Sequence, residues 1–199
     1  MVSLVLNTPD QVAGVPNAAS LLTKMNSTLI SMVKLEWNNS WQNFIPDICS
    51  SAGESISKCE NALNILRLLS EEVFDFSKGT ILRSEVTQFK AQMNQQFGQV
   101  FQLCMNVLSQ EMNMQIPDSL FKSCLRTLQA YLSWIPHNYI FNFGLFEGLI
   151  SKFIQPAQTR VDAIKCITEV SSLTFEELTD ADEHRQMKEK LCFYYCTML

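Results

Sequence analysis

The side chains best suited to nucleophilic or metal chemistry are two histidines, His137 and His184, and seven cysteines at 49, 59, 104, 124, 166, 192 and 196. A thiol nucleophile needs a base beside it, and zinc needs four ligands of which cysteine and histidine are the usual ones. Cys192 and Cys196 are four apart and share one helix face, with only His184 nearby to extend a ligand set. His137 sits in Trp134-Ile-Pro-His-Asn-Tyr139, where a helix terminates, and His184 in the charged run Asp182-Glu-His-Arg185. Spacing leaves a Cys–His nucleophile pair open, but no feature of the sequence supports one. The cysteines are odd in number and lie in apolar stretches such as Phe101-Gln-Leu-Cys104, so they read as small core residues with free thiols, not as a disulfide framework. Glu71 and Glu72 are adjacent and point to different faces of a helix, which disfavours a shared acid–base site. Glu176, Glu177, Asp180, Asp182 and Glu183 form an acidic run that reads as a solvated loop and helix start, with a docking edge for a basic protein as the alternative. The six glycines form no phosphate-cradling loop. No enzymatic constellation, cofactor or metal site is expected.

The classes of partner narrow in the same way. The formal charge is −5, with lysines and arginines spread along the chain. Nucleic acid binding needs a clustered basic face, and an anionic membrane needs the same, so neither is expected. Met1–Leu6 is apolar but short and runs into Asp10, unlike a secretory leader. The longest stretch without a charge, Thr127–Phe146, carries Gln129, Pro136, His137, Asn138 and Asn142 and reads as buried helix plus loop. Asn26-Ser-Thr28 and Asn38-Asn-Ser40 match the glycosylation pattern by chance in a chain with no sign of secretion.

The elements that position these residues are helical. The chain is 47% hydrophobic and 18% charged, which excludes an intrinsically disordered segment. Six glycines and six prolines are about half the usual share and too few for the turns of a β-sandwich. Apolar residues step by three or four along 18–37, 55–76, 84–110 and 118–135, for example Phe121, Cys124/Leu125, Leu128 and Tyr131/Leu132. Ser84 and Asp118 stand where helix caps are wanted and Pro136 where a helix must stop. Shorter helices are expected over 41–51, 145–154, 158–172 and 183–198, with the longest at 84–110. Only the N-terminal stretch through Pro9, Gly14 and Pro16 reads as loop. Trp37 and Trp41 mark a corner between two helices, and Trp134 the buried end of 118–135. Starts of alternate helices recur roughly every 40 to 60 residues, near the pitch of about 40–47 residues of two-helix repeats. The expectation is an all-α solenoid of antiparallel helix pairs, about four of them in one continuous segment over 1–199.

Several blocks resemble a known family. Glu36-Trp37…Trp41-Gln-Asn-Phe-Ile-Pro-Asp-Ile48 resembles the tryptophan-marked turn of karyopherin-β transport receptors. Leu68-Leu-Ser-Glu-Glu-Val-Phe-Asp-Phe-Ser77 is similar to a block of the nuclear exportins that carry leucine-rich export signals, the chromosome-region-maintenance type. Phe101-Gln-Leu-Cys104, Leu132-Ser-Trp-Ile-Pro-His-Asn-Tyr-Ile-Phe141 and Lys165-Cys-Ile-Thr-Glu-Val170 match in the same order. Asn38 and Gln42 stand where the family has proline, and 111–117 and 173–199 match poorly.

The resemblance implies a right-handed stack of HEAT repeats and a fragment of the N-terminal third, incomplete at both ends. It implies a non-enzymatic receptor that shuttles between nucleus and cytoplasm and binds GTP-loaded Ran, leucine-rich cargo and nucleoporins. It places the cargo groove and its reactive cysteine in later repeats, so none of the seven cysteines takes that role. It makes 18–37, 55–76, 118–135 and 158–172 the inner helices, with Glu36, Glu72, Arg126 and Arg160 as candidate contacts to Ran. The competing expectation is a generic helical-repeat scaffold or adaptor unrelated to transport.

Overall fold

The computed structural model describes residues 2–12, 15–36, 41–74, 83–110, 112, 116–133, 135–136, 139–140, 143–173, and residues 185, 189, 192, 193 and 196. Trp37, Trp134, His137 and His184 lie outside the described residues. Among those described the structure is helical, with no strand, as the glycine- and proline-poor composition requires. The chain divides into two compact units, Met1–Ala130 and Tyr131–Leu199.

The first unit begins with a helix where a loop is expected. α1 spans Val2–Gln11 with Pro9 inside it. Proline has no N–H, so the carbonyl of Val5, its partner one turn back, loses its helical donor. Asn61 supplies the replacement: its Nδ2 donates to the Val5 oxygen at 3.3 Å. The Thr8 hydroxyl donates to the Leu4 carbonyl at 2.7 Å, and Val5, Leu6 and Thr8 are buried. Tertiary satisfaction of one freed carbonyl, with an apolar face to bury, outweighs the local penalty of the proline.

α2 (Ala18–Glu36), α3 (Phe44–Ser51), α4 (Ile56–Phe74), α5 (Arg83–Ser109) and α6 (Asp118–Leu132) follow close to their expected bounds. α5 is the longest described helix, at 27 residues or about 40 Å. Asn17 enters α2 with φ 64°, a left-handed value that asparagine tolerates better than most residues. Ser55 caps α4, its Oγ accepting from the Lys58 N–H at 3.1 Å while donating to Asp10 Oδ1 at 2.8 Å. At the corner before α3, Trp41 stacks on Phe44 with ring centroids 6.0 Å apart.

Cross-helix hydrogen bonds set the direction of the stack. Asn26 and Lys34 of α2 meet Asn61 and Glu72 of α4 in the same order along both helices. On α4, Glu60, Leu63 and Ser70 meet Ser123, Thr127 and Ala130 of α6, again in the same order. α2, α4 and α6 therefore run parallel, side by side. α3 and α5 pack on each other and against α4. This is the arrangement of antiparallel helix pairs stacked so that like helices neighbour like. The core lies between the two rows, where Leu29, Ile45, Ile48, Leu63, Leu66, Met93, Phe97, Phe121 and Leu125 are inaccessible to solvent.

In the second unit, α7 (Leu145–Gly148) opens from Gly144 at φ 69°, a left-handed conformation that a Cβ would strain. It continues as a π-helical turn, Leu149–Phe153, and α8 (Arg160–Ser171) packs against that turn. Leu145, Phe146, Leu149 and Phe153 are buried, as are Ala163, Cys166, Ile167 and Val170 of α8. Of the expected helix over 183–198 the five described residues are helical, with Arg185 and Glu189 paired at 2.9 Å.

None of the described helices is long and apolar enough to cross a membrane. The uncharged stretch 127–146 is broken after Leu132, with Pro136 exposed. All seven thiols are free. Cys59, Cys104, Cys124 and Cys166 are buried and Cys49 half-buried, whereas Cys192 and Cys196 are exposed instead of core residues.

Candidate partner-binding surface

Of the four charged residues singled out by the sequence, Glu36, Glu72 and Arg126 lie on α2, α4 and α6 of the first unit, and Arg160 on α8 of the second. Glu36 is exposed at the last residue of α2, and Glu72 is half-buried two residues before the end of α4. Because α2 and α4 run parallel, both stand at the same end of their helices. Glu72 is engaged by Lys34, whose Nζ lies 3.0 Å from Glu72 Oε2 with both side chains largely covered. A pair sheltered in this way is less screened by solvent than a surface pair, and it staples α2 to α4. Lys34 escaped the sequence reading because charge alone does not reveal a partner 38 residues away.

Arg126 is exposed on α6, one residue before the buried Thr127. Thr127 Oγ1 contacts both the Leu63 carbonyl at 2.9 Å and the Ser123 carbonyl at 2.8 Å, so α6 is held closely against α4 and Arg126 is presented by a fixed helix. Arg160, in the second unit, has a structural task. Its Nε donates to the Ile154 carbonyl at 2.9 Å and its Nη2 to the Gln155 carbonyl at 2.6 Å. Thr159 Oγ1 donates to the Phe153 carbonyl at 3.0 Å. Together they satisfy carbonyls that the ending helix leaves free, and the cation sits where a helix C-terminus favours one. The structure thus brings Glu36 and Glu72 to one end of two adjacent helices, places Arg126 on the third, and has Arg160 brace a turn through two of its nitrogens while its side chain stays exposed.

The polar feature that sequence reading missed is buried. Asn26 Nδ2 donates to Asn61 Oδ1 at 2.8 Å, and Asn61 in turn donates to Val5, linking α2, α4 and α1. The signal was available: Asn26 lies three residues before Leu29 and four before Ile30, on the face of α2 that is otherwise apolar. A carboxamide on a core face needs a partner there.

The covered thiols Cys49 and Cys59 offer no reactive site. Burial pushes Cys49 up to about 12, with the nearby Cys104 adding to it. Burial likewise raises Cys59 to about 11. Such groups stay protonated and poorly nucleophilic at neutral pH. Among the described residues, no three His, Cys, Asp or Glu side chains converge as metal ligands.

Comparison with known proteins agrees with this architecture. The family model for exportin 1-like protein matches residues 18–167, spanning α2 through most of α8. Over 159 residues the chain is 41% identical to Protein EXPORTIN 1B of Arabidopsis thaliana, covering 80% of this chain and 14% of that protein. It is 39% identical over 155 residues to Exportin-1 of Schizosaccharomyces pombe, covering 78% of the chain and 14% of the relative. It is 37% identical over 174 residues to Exportin-1 of Drosophila melanogaster, covering 87% and 16% respectively. The chain therefore spans only 14–16% of the length of these relatives. With its parallel rows of helices and a family match running through both compact units, the chain belongs to the exportin 1-like family.

Proposed function

We propose that this chain is a segment of a nuclear export receptor, acting by binding proteins and not by catalysis. The observation that carries this reading is the family match over 18–167, joined to relatives named as exportins at 37–41% identity. In this reading the chain is one continuous run of HEAT repeats, with α2, α4, α6 and α8 as the inner helices. They contribute a patch that meets GTP-loaded Ran, while leucine-rich cargo and nucleoporins are engaged elsewhere in the receptor. The receptor shuttles between nucleus and cytoplasm. Glu36, Glu72 and Arg126 are the proposed contacts on the first unit and Arg160 the one on the second. Rows of fixed helices suit this task, because a rigid surface loses little entropy when it docks. One patch out of several forfeits the gain of about 10²–10⁴-fold that linked contacts provide, so the isolated chain binds weakly.

Titration calorimetry of the 199-residue chain against Ran in its GTP and GDP states tests the proposal. Weak binding of the GTP state, diminished by Glu36→Arg or Arg126→Glu, is expected, with no binding of a leucine-rich export peptide. Equal affinity for the two nucleotide states overturns the Ran assignment, and tight binding of the peptide overturns the placement of the cargo groove.

A further inference from the structure

Cys49, Cys59, Cys104, Cys124 and Cys166 are covered, but Cys192 and Cys196 stand on the surface. Arg185, Glu189, Cys192 and Cys196 are all helical and all exposed. Their steps of four, three and four keep them on one side of a helix with about 3.6 residues per turn. The Arg185–Glu189 ion pair at 2.9 Å shows that side chains four apart on this stripe meet. Cys192 and Cys196 repeat that spacing, and both thiols are free. Side chains so placed have Cβ atoms about 5–6 Å apart. Each sulfur is one rotatable bond beyond its Cβ, so the two sulfurs can close on an ion held between them.

The number of ligands decides which ion suits the pair. Zinc takes four. Among the described residues no three His, Cys, Asp or Glu side chains converge, and Glu189, one turn before Cys192, is paired with Arg185. Cu(I) asks for less: it is soft, prefers thiolate, and is stable between two sulfurs in line. With about 2.3 Å for each metal–sulfur bond, as for zinc, those sulfurs lie about 4.6 Å apart, within the reach of side chains at this spacing. We infer that Cys192 and Cys196 form a two-coordinate site for Cu(I) on the surface of the second unit. Each thiol gives up its proton and its sulfur donates an electron pair to the metal. One Cu⁺ and two S–H groups thus yield one bis-thiolate anion and two released protons, with no change of oxidation state. The site stands apart from the export-receptor reading and does not depend on it.

The full chain, reduced and kept free of oxygen, is titrated into Cu(I) held by the coloured chelator bicinchoninate, and the loss of colour counts the copper transferred. One tight equivalent per chain is expected, with no change in elution volume on size exclusion. Cys192→Ser and Cys196→Ser alter exposed positions and should leave the circular dichroism unchanged. Removing a partner that only orients a ligand costs about 10–100-fold in metal affinity, so removing one of two ligands should cost more than about 100-fold. Undiminished affinity in either variant overturns the proposal. So does loss of half the copper in each single variant and of the rest only in the double one, the mark of two thiols acting separately. Displacement of Cu(I) by an equal concentration of Zn(II) would reveal a four-ligand site, and a larger species on loading would reveal an ion shared between two chains. Either result overturns it too.

Discussion

At the scale of single residues, the energetics are dominated by polar groups that must be matched once buried. Asn61 is the clearest case, because it accepts from Asn26 and donates to the carbonyl that Pro9 leaves free. Asn61→Leu removes both bonds and strands the Val5 oxygen and the Asn26 amide. A loss of about 1–3 kcal/mol per stranded group is expected, read as a lower midpoint in urea unfolding. The thiols make a second, pH-dependent prediction. Cys49 and Cys59 titrate near 12 and 11 when folded, above the ordinary value of 9.0. The unfolded chain therefore releases these protons first. Their contribution to stability is complete below about pH 9 and is lost as pH rises through 11 to 12. Cys49→Ala should flatten the alkaline fall in unfolding midpoint; an unchanged slope would show that other groups set it. At pH 8, iodoacetamide should modify the exposed Cys192 and Cys196 quickly and the other five only after unfolding, as intact mass over time will record.

At the scale of elements, the termini are where the architecture is set. Gly144 opens α7 in a left-handed conformation, with no atom within 4 Å of where a Cβ would sit. Gly144→Ala therefore isolates backbone strain from crowding and should cost about 1–2 kcal/mol in a thermal melt. Most helices were legible in the sequence because apolar residues at three- and four-residue spacing leave few alternatives. Thus 84–110 was expected and Arg83–Ser109 is found. α1 was not legible, since Pro9 reads locally as a breaker and its compensation comes from Asn61, 52 positions away along the sequence. The π-helical turn at Leu149–Phe153 was hidden for a related reason: apolar periodicity does not distinguish it from one more α-helical turn. The candidate surface was legible in part. Charge marked Glu72 and Arg160, but only three dimensions show Glu72 held by Lys34 and Arg160 spent on two carbonyls.

At the scale of the whole molecule, α4 is the keel of the first unit, packed against α1, α2, α3 and α5 and hydrogen-bonded to α6. In stacks of helix pairs each layer is stabilised by its neighbours, so damage to a shared helix spreads in both directions. Leu63 is fully buried on α4. Leu63→Ala should cost about 2–5 kcal/mol and lower hydrogen-exchange protection in α2 and α6 together. Loss confined to α4 would show that the rows open independently. The π turn bears on a different property, the history of the chain's length. A helix widened from i→i+4 to i→i+5 bonding accommodates one residue more than an α-helix of the same rise. Leu149–Phe153 is therefore a natural place for a one-residue insertion or deletion. Removing the exposed Ser151 would let the segment close into ordinary α-helix without cutting the chain's path to α8. Among relatives, a single-residue gap here would mark a change of helical type and not a change of fold.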